Sequence, residues 1–202
     1  MPQPASRCAF AVLVWALSLV PLPASADVFA APFAGVKFGG YTSIVDLELA
    51  AGKTSGTIGA SLFLLDEGII GYEVTFAHVP RYFELGNSGL ITPGSFVIDL
   101  TGNVIVALPP NVTRGGLRPY VIGGLGLVYA KASDVLGIFQ VRRTVPAISV
   151  GAGAIGLLTV NVGVRFDLRY IRSLTREDDR SLATVGRRIS YSRGTVGLVL
   201  RF

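Results

Sequence analysis

The sequence predicts an all-β chain rolled into an eight-stranded antiparallel up-and-down transmembrane barrel, and three observations carry that prediction. Apolar and polar residues alternate with period two in segment after segment, as in strands with one greasy and one polar face. The segments recur at the length of about 9 to 11 residues with which a tilted strand crosses a bilayer. Long and short connections take turns between them, the asymmetry of barrels with long external loops and short periplasmic turns.

The N-terminus comes first. Arg7 precedes the unbroken apolar run "CAFAVLVWALSLV" and then "PLPASA" with small residues at Ala24 and Ala26. A basic start, a short apolar stretch and small residues make a secretory signal peptide, with cleavage expected after Ala26. The run is shorter than the roughly 20 apolar residues of a membrane-spanning helix. Cys8 and Trp15, each the sole residue of its kind, leave with it. A disulfide scaffold and a thiolate metal site are thereby excluded. Residues 27–202 are the size of one domain, expected to be the barrel.

The strands come next, in chain order. "AGVKFGGYTSI" sets Val36 and Phe38 against Lys37, Gly39 and Ser43. "GTIGASLFLL" sets Ile58, Ala60, Leu62 and Leu64 against Thr57, Gly59 and Ser61. In "GIIGYEVTFAH", Ile70, Tyr72, Val74 and Phe76 oppose Gly71, Glu73, Thr75 and Ala77. "SFVIDLTGNVIVAL" places Phe96, Ile98, Leu100, Val104, Val106 and Leu108 on one face, with Ser95, Asp99, Thr101 and Asn103 on the other. "RPYVIGGLGLVYAKA" and "AISVGAGAIG" are glycine-rich and do not declare their parity. "VNVGVRFDLRYIR" is the clearest: Val160, Val162, Val164, Phe166, Leu168 and Tyr170 against Asn161, Gly163, Arg165, Asp167 and Arg169. "RGTVGLVLRF" closes with Val196, Leu198, Leu200 and Phe202 opposite Arg193, Thr195, Gly197 and Arg201. The expected long connections are 46–55, 80–93, 133–145 and 173–190; "DEG" and "LLT" are short, and "PPNVTRGGL" is longer than a periplasmic turn should be.

A glycine motif invites another reading. Gly151, Gly153 and Gly156 match G-x-G-x-x-G, the dinucleotide fingerprint, which requires a helix after it. The segment beyond these glycines has strict period two, so no helix N-terminus is on offer to hold a phosphate. In a narrow barrel such glycines relieve crowding and permit curvature.

A soluble lipocalin-type barrel alternates as well. Three features favour the inverted, lipid-facing arrangement. The polar parity is rich in Gly, Ser, Thr and Asn, small enough for the interior of an eight-stranded barrel. The other parity carries large aliphatics, with aromatics such as Tyr170 and Phe202 near the ends, as interfacial girdles require. The glycine-x-tryptophan pattern of lipocalins has no tryptophan to use after residue 26.

On "RPYVIGGLGLVYA", "VGVRFDLRYIRSL" and the final "TVGLVLRF", the chain resembles the outer-membrane β-barrel domain family and its small eight-stranded, porin-like members of the OmpA and OmpX type. The resemblance implies a cell-envelope protein of a Gram-negative-type bacterium, inserted from the periplasm. It also implies that the barrel-assembly machinery reads Phe202, with Leu200 and Leu198 at matching parity, as an assembly signal. No peptidoglycan-binding domain is expected after the last strand.

The inward parity is expected to hold Lys37, Glu73, Asp99, Arg165, Asp167, Arg169, Arg193 and Arg201. Buried charges must pair, so five cations and three anions predict a network centred on Arg165, Asp167 and Arg169. A side-chain-filled interior makes this a structural plug; a narrow ion or solute pore is one alternative. The other is a lipid-A-modifying enzyme built on the sole histidine, His78. The lipid-A deacylases would need a serine where Pro80 stands, and without it a base has no nucleophile in reach; the prediction is no enzyme, with His78 in interfacial packing.

The last loop, "SLTREDDRSLATVGRRISYSR", offers Arg176, Arg180, Arg187 and Arg188 as candidate contacts for lipopolysaccharide phosphates. Local pairing with Glu177, Asp178 and Asp179 is the competing reading. Three consecutive carboxylates lack the spaced ligands of a divalent-cation site, and "NVT" at Asn111 is a glycosylation sequon in a eukaryotic setting only. Loss of Arg7 lowers the formal charge of +5 by one; dispersed over an exported chain, that excess points away from nucleic acid. No cofactor and no metal are expected. The predicted protein is a monomer with a structural or surface-interaction role, its partners outer-membrane lipid and lipopolysaccharide, and its external loops open to host, phage or lipopolysaccharide.

Overall fold

Alternation at period two turns into eight antiparallel strands in the computed structural model, which describes residues 27–42, 54–66, 68–80, 82, 96–113, 117–133, 140–174 and 189–202. The strands are β1 Asp27–Thr42, β2 Ser55–Leu65, β3 Ile70–Pro80, β4 Phe96–Ala107, β5 Arg118–Ser133, β6 Gln140–Leu157, β7 Val162–Ser173 and β8 Ile189–Arg201. Each pairs with its chain neighbour, and β1 pairs with β8, so the sheet closes and has no free edge. Closure lets each strand pair on both sides, the condition for crossing hydrocarbon. The expected signal peptide and its cleavage point lie outside the described residues.

The parity faces the way the aliphatics require. Ile58, Leu62, Phe166 and Leu168 are 51–62% exposed on the outer wall, whereas Glu73, Asp99, Thr101 and Arg193 lie at 0–2% inside. A soluble barrel would show the reverse. In the two glycine-rich strands, Tyr120, Ile122, Val128 and Ala130 of β5 and Ala147, Ser149 and Ile155 of β6 are buried, while Val121, Leu125, Leu127, Ile148 and Val150 are exposed.

Several boundaries differ from the sequence reading; β8, for one, begins at Ile189, four residues early. β1 starts at Asp27, several residues early, and carries Pro32, which pairs in register with Ala60 of β2 while the ladder to β8 is interrupted between Ala30 and Phe33. Proline has no N–H to donate, and a broken ladder is where a strand tolerates it. The connection expected over 133–145 shrinks to 134–139, because β5 and β6 stay in register out to Ser133 and Gln140.

The three short connections share one end. β2–β3 turns through 66–69 and β6–β7 through 158–161, where Val162 N donates to Thr159 Oγ1 at 3.0 Å. The longer β4–β5 connection folds into one helical turn, α1 (Pro110–Thr113), which accounts for its length. Arg118 ties these turns together: Nε donates to the Leu108 carbonyl and Nη1 to the Asp66 carbonyl, both at 2.8 Å, and Nη2 donates to the Gly68 carbonyl.

The interior is layered. At the turn end Phe29, Phe63, Leu65, Ile105, Tyr120 and Val199 pack into one apolar cluster, with Phe29 and Phe63 stacked at 4.9 Å. At the loop end Val79, Tyr82, Val97, Val128, Ile171 and Tyr191 form a second. The buried charges lie between them. The lumen is thus polar in the middle and apolar toward both ends, with a cavity of about 240 Å³ at the turn-end mouth bordered by Asp27, Phe29, Phe63, Arg118 and Arg201.

Candidate functional site

The central layer grows from β7, whose inward positions are Arg165, Asp167 and Arg169. Two-residue spacing stacks the three side chains on one face, so the anion sits between the cations. Arg169 Nε donates to Asp167 Oδ1 at 2.6 Å, and Arg165 Nη2 lies 3.1 Å from Asp167 Oδ2. Across the lumen Glu73 of β3 accepts from Arg169 Nη2 at 2.6 Å and forms an ion pair with Arg165 Nη1. Two guanidinium groups thus meet two carboxylates.

Neutral donors and acceptors complete the set. Tyr120 Oη donates to Asp167 Oδ2 at 2.5 Å and accepts from Arg165 Nε at 2.6 Å. Arg165 Nη1 reaches Ser61 Oγ at 3.2 Å, Arg169 Nη1 reaches Thr75 Oγ1 at 3.0 Å, and Thr75 donates to Glu73. The Arg165 guanidinium also lies 5.0 Å from the Phe63 ring centroid and 4.8 Å from that of Tyr120. Burying four charges is tolerable because each is paired and further hydrogen-bonded.

Two β6 glycines make the room. Gly151 and Gly153 lie in register with Arg169 and Asp167. A Cβ on Gly153 would collide with the Tyr120 hydroxyl, and one on Gly151 would come within 2.9 Å of Arg169 Cγ. Two of the motif's three glycines serve the ion cluster; the element after it is strand β7, not a helix.

A second pair lies toward the loops. Arg193 Nη1 and Tyr191 Oη each donate to Asp99 Oδ2 at 2.7 Å. Lys37 Nζ sits 4.2 Å above the Tyr82 ring, which packs edge-on against Tyr191 at 5.6 Å. The gap bordered by Arg165, Arg169 and Arg193 measures about 10 Å³, space for about one water. Among the described residues, then, apolar layers and an ionic clamp follow one another along the lumen, and the space left at the clamp is small.

Seven of the eight residues expected inside are there. Arg201 is the exception: it lies at the turn-end mouth, about one-third exposed, with Nη2 2.6 Å from Asp27 Oδ2. It has the inward parity, but as the last residue of β8 it lies beyond the apolar layer and pairs at the rim. Phe202 and Leu198 face outward, and Phe202 N donates to the Val28 carbonyl at 2.9 Å, fastening the C-terminus to β1. Arg176, Arg180, Arg187 and Arg188 lie outside the described residues. His78 is on the outer wall with its ring 5.4 Å from that of Phe96, which is 6.0 Å from Tyr129. No three metal-ligating side chains cluster among the described residues.

The sequence reading missed Tyr120 and Tyr191. Tyr191 shares the parity of Arg193 and could have been placed from it. Tyr120 opens a strand whose glycines hide its alternation.

No family model matches the chain, and no curated protein sequence does. Solved structures do share its fold. Neisserial surface protein A matches with a TM-score of 0.64 at 15% identity, over 87% of this chain and 97% of that one. The N-terminal β-barrel domain of Pseudomonas aeruginosa OprF matches at 0.56 and 15%, again over 87% and 97%. Ail, the attachment invasion locus protein of Yersinia pestis, matches at 0.52 and 17%, over 88% and 99%. The fold is that of the small outer-membrane barrels.

Proposed function

We propose that this chain, folded as those barrels are, is an integral protein of the outer membrane of a Gram-negative-type bacterium, closed to solutes and active through its external face. The observation that carries the reading is the layered interior. An apolar cluster on each side of a neutralised four-charge core leaves water no continuous file. With the bore filled, the loops and outer wall are the surfaces left for interaction.

The wall itself supports an orientation. Among described side chains, the outward-facing cations Lys131 and Arg172 both lie at the loop end, Lys131 over the ring of Phe96, which neighbours Tyr129. Cations at one rim suit the anionic phosphates of lipopolysaccharide, placing the long connections outside and the turns in the periplasm. The loop arginines Arg176, Arg180, Arg187 and Arg188 extend the same chemistry, and the barrel acts as a monomer. Phe202, with Leu198 and Leu200, serves its delivery by the assembly machinery.

The experiment is a pair of measurements on the purified protein. Recovery in the outer-membrane fraction with heat-modifiable gel migration, and no stepwise conductance in planar bilayers, is the expected result. Discrete conductance steps would overturn the closed interior, and periplasmic recovery as a soluble species would overturn the membrane assignment. Lipid A mass profiles with and without the protein should be identical; an acyl change lost in His78→Ala would make it an enzyme instead.

A further inference from the structure

Glycines inside this barrel have a steric reason to be glycine: added methyls at 124, 126, 151 and 153 would all strike neighbouring backbone. Several glycines on the outer wall, Gly56, Gly102 and Gly123 among them, have none, and Gly102 and Gly123 adjoin. A Cβ on Gly102 would meet nothing within 4 Å, and one on Gly123 only a carbonyl oxygen at 3.9 Å. Glycine weakens a strand interior, where a side chain would otherwise pack and stiffen it. At Gly102 and Gly123 the two missing side chains leave one shared hollow in the outer wall.

The two sit side by side. Gly102 of β4 pairs in register with Leu125 of β5, and Gly123 of β5 pairs with Val104 of β4. They form part of the floor of a groove of about 580 Å³ on the lipid-facing wall, flanked by Leu62, Tyr72, Val74, Val104 and Leu125, within the 300–1,000 Å³ of ligand-sized sites. These flanking side chains are hydrocarbon apart from the Tyr72 hydroxyl; Glu73 and Asn103, whose side chains are buried toward the lumen, also border the groove. Tyr72 lies near the start of β3, toward the turns, while Leu125 is at mid-strand. The groove thus runs from the turn-side interface to the middle of the membrane.

We propose that this groove is a preferred seat for one acyl chain of a phospholipid in the periplasmic leaflet, with its ester end at Tyr72 and its methyl end against Gly102, Gly123 and Leu125. The inference rests on the barrel standing in a bilayer with its turns in the periplasm. Its occupant is set by place and chemistry: the groove is continuous with the hydrocarbon-facing wall, and a gap left there would forfeit the dispersion contacts of its lining. Tyrosine at the open end suits an interfacial ester, because its ring is apolar and its hydroxyl donates.

The test uses the full barrel reconstituted in phosphatidylethanolamine–phosphatidylglycerol vesicles doped with phosphatidylcholine carrying a diazirine on one acyl chain, either near the carbonyl or near the terminal methyl. After irradiation, peptides are mapped by mass. The carbonyl-proximal probe should label the Tyr72 region and the methyl-proximal probe residues 100–106 and 121–127, each several-fold above the β6–β8 wall. Gly102→Leu with Gly123→Leu, which fill open space, should abolish that excess while heat-modifiable migration persists. Uniform labelling around an inserted barrel overturns the groove. The two probes labelling in reversed positions overturns the orientation, and failure to insert overturns the membrane reading beneath both. Should the double variant not fold, the wild-type map still decides. A Leu125→Cys chain that forms disulfide dimers in the vesicles would assign the groove to a second copy and refute the proposal.

Discussion

Removing Arg169 should cost the barrel more than any loss on its surface. Its guanidinium reaches Glu73 and Asp167 at 2.6 Å and Thr75 at 3.0 Å. In Arg169→Met, Arg165 alone faces two carboxylates, so one buried charge loses its partner. Breaking a buried pair from one side costs about 3–5 kcal/mol, roughly a hundredfold or more in the folding equilibrium. Deleting Glu73 as well leaves Arg165 with Asp167, one against one. Glu73→Met with Arg169→Met should accordingly recover most of the loss, because apolar replacement of a whole buried pair is close to neutral. The assay is urea unfolding of the vesicle-reconstituted barrel, read by the heat-modifiable gel shift, for wild type, both single variants and the double. A single-variant loss below about 1 kcal/mol that fades with added salt would be the behaviour of a solvated pair. It would mean water fills the lumen, refuting the closed interior.

Three further outcomes are expected. Gly153→Leu should abolish or severely destabilise the folded band, since its side chain must displace Tyr120 from Asp167; a band as stable as wild type would show the interior to be roomier than described. Arg118→Ala should lower stability modestly, by about 1 kcal/mol, since its charged hydrogen bonds are partly in water, and amide exchange should quicken at 66–69 and 108; unchanged exchange there would remove Arg118 as the tie between turns. Phe202→Ala should slow assembly in the presence of the assembly machinery and cut outer-membrane yield, yet leave the refolded barrel within about 1 kcal/mol of wild type because the ring is exposed; equal yields would discard the C-terminal signal.

The alternation in 160–170 was enough to place Arg165, Asp167 and Arg169 inside and Phe166 and Leu168 outside, because a strand offers only two faces. The same rule gives direction but not polarity at the barrel's ends. Phe63, Val97, Ile105 and Val199 are apolar yet face inward, and in an unbroken apolar run such as "VIVA" alternation of character cannot show that Ile105 is the residue turned to the bore. Strands β5 and β6 kept their parity hidden because glycine has no side chain to alternate. Partners were beyond reach for a different reason. Asp99 meets Arg193 from 94 residues away, a pairing fixed by barrel register rather than by local pattern, and Arg201 misses the network by its height along the axis, which parity does not report.

The claim on which the rest depends is that the aliphatic face meets hydrocarbon. Cys8 is the sole native cysteine, so a chain that starts at Asp27 takes single nitroxides cleanly at Phe166, Leu168, Val196 and Leu198. In vesicles, dissolved oxygen should relax all four strongly and a water-soluble nickel complex should barely touch them. Strong relaxation by the nickel complex at these positions, with oxygen weak, would contradict the account.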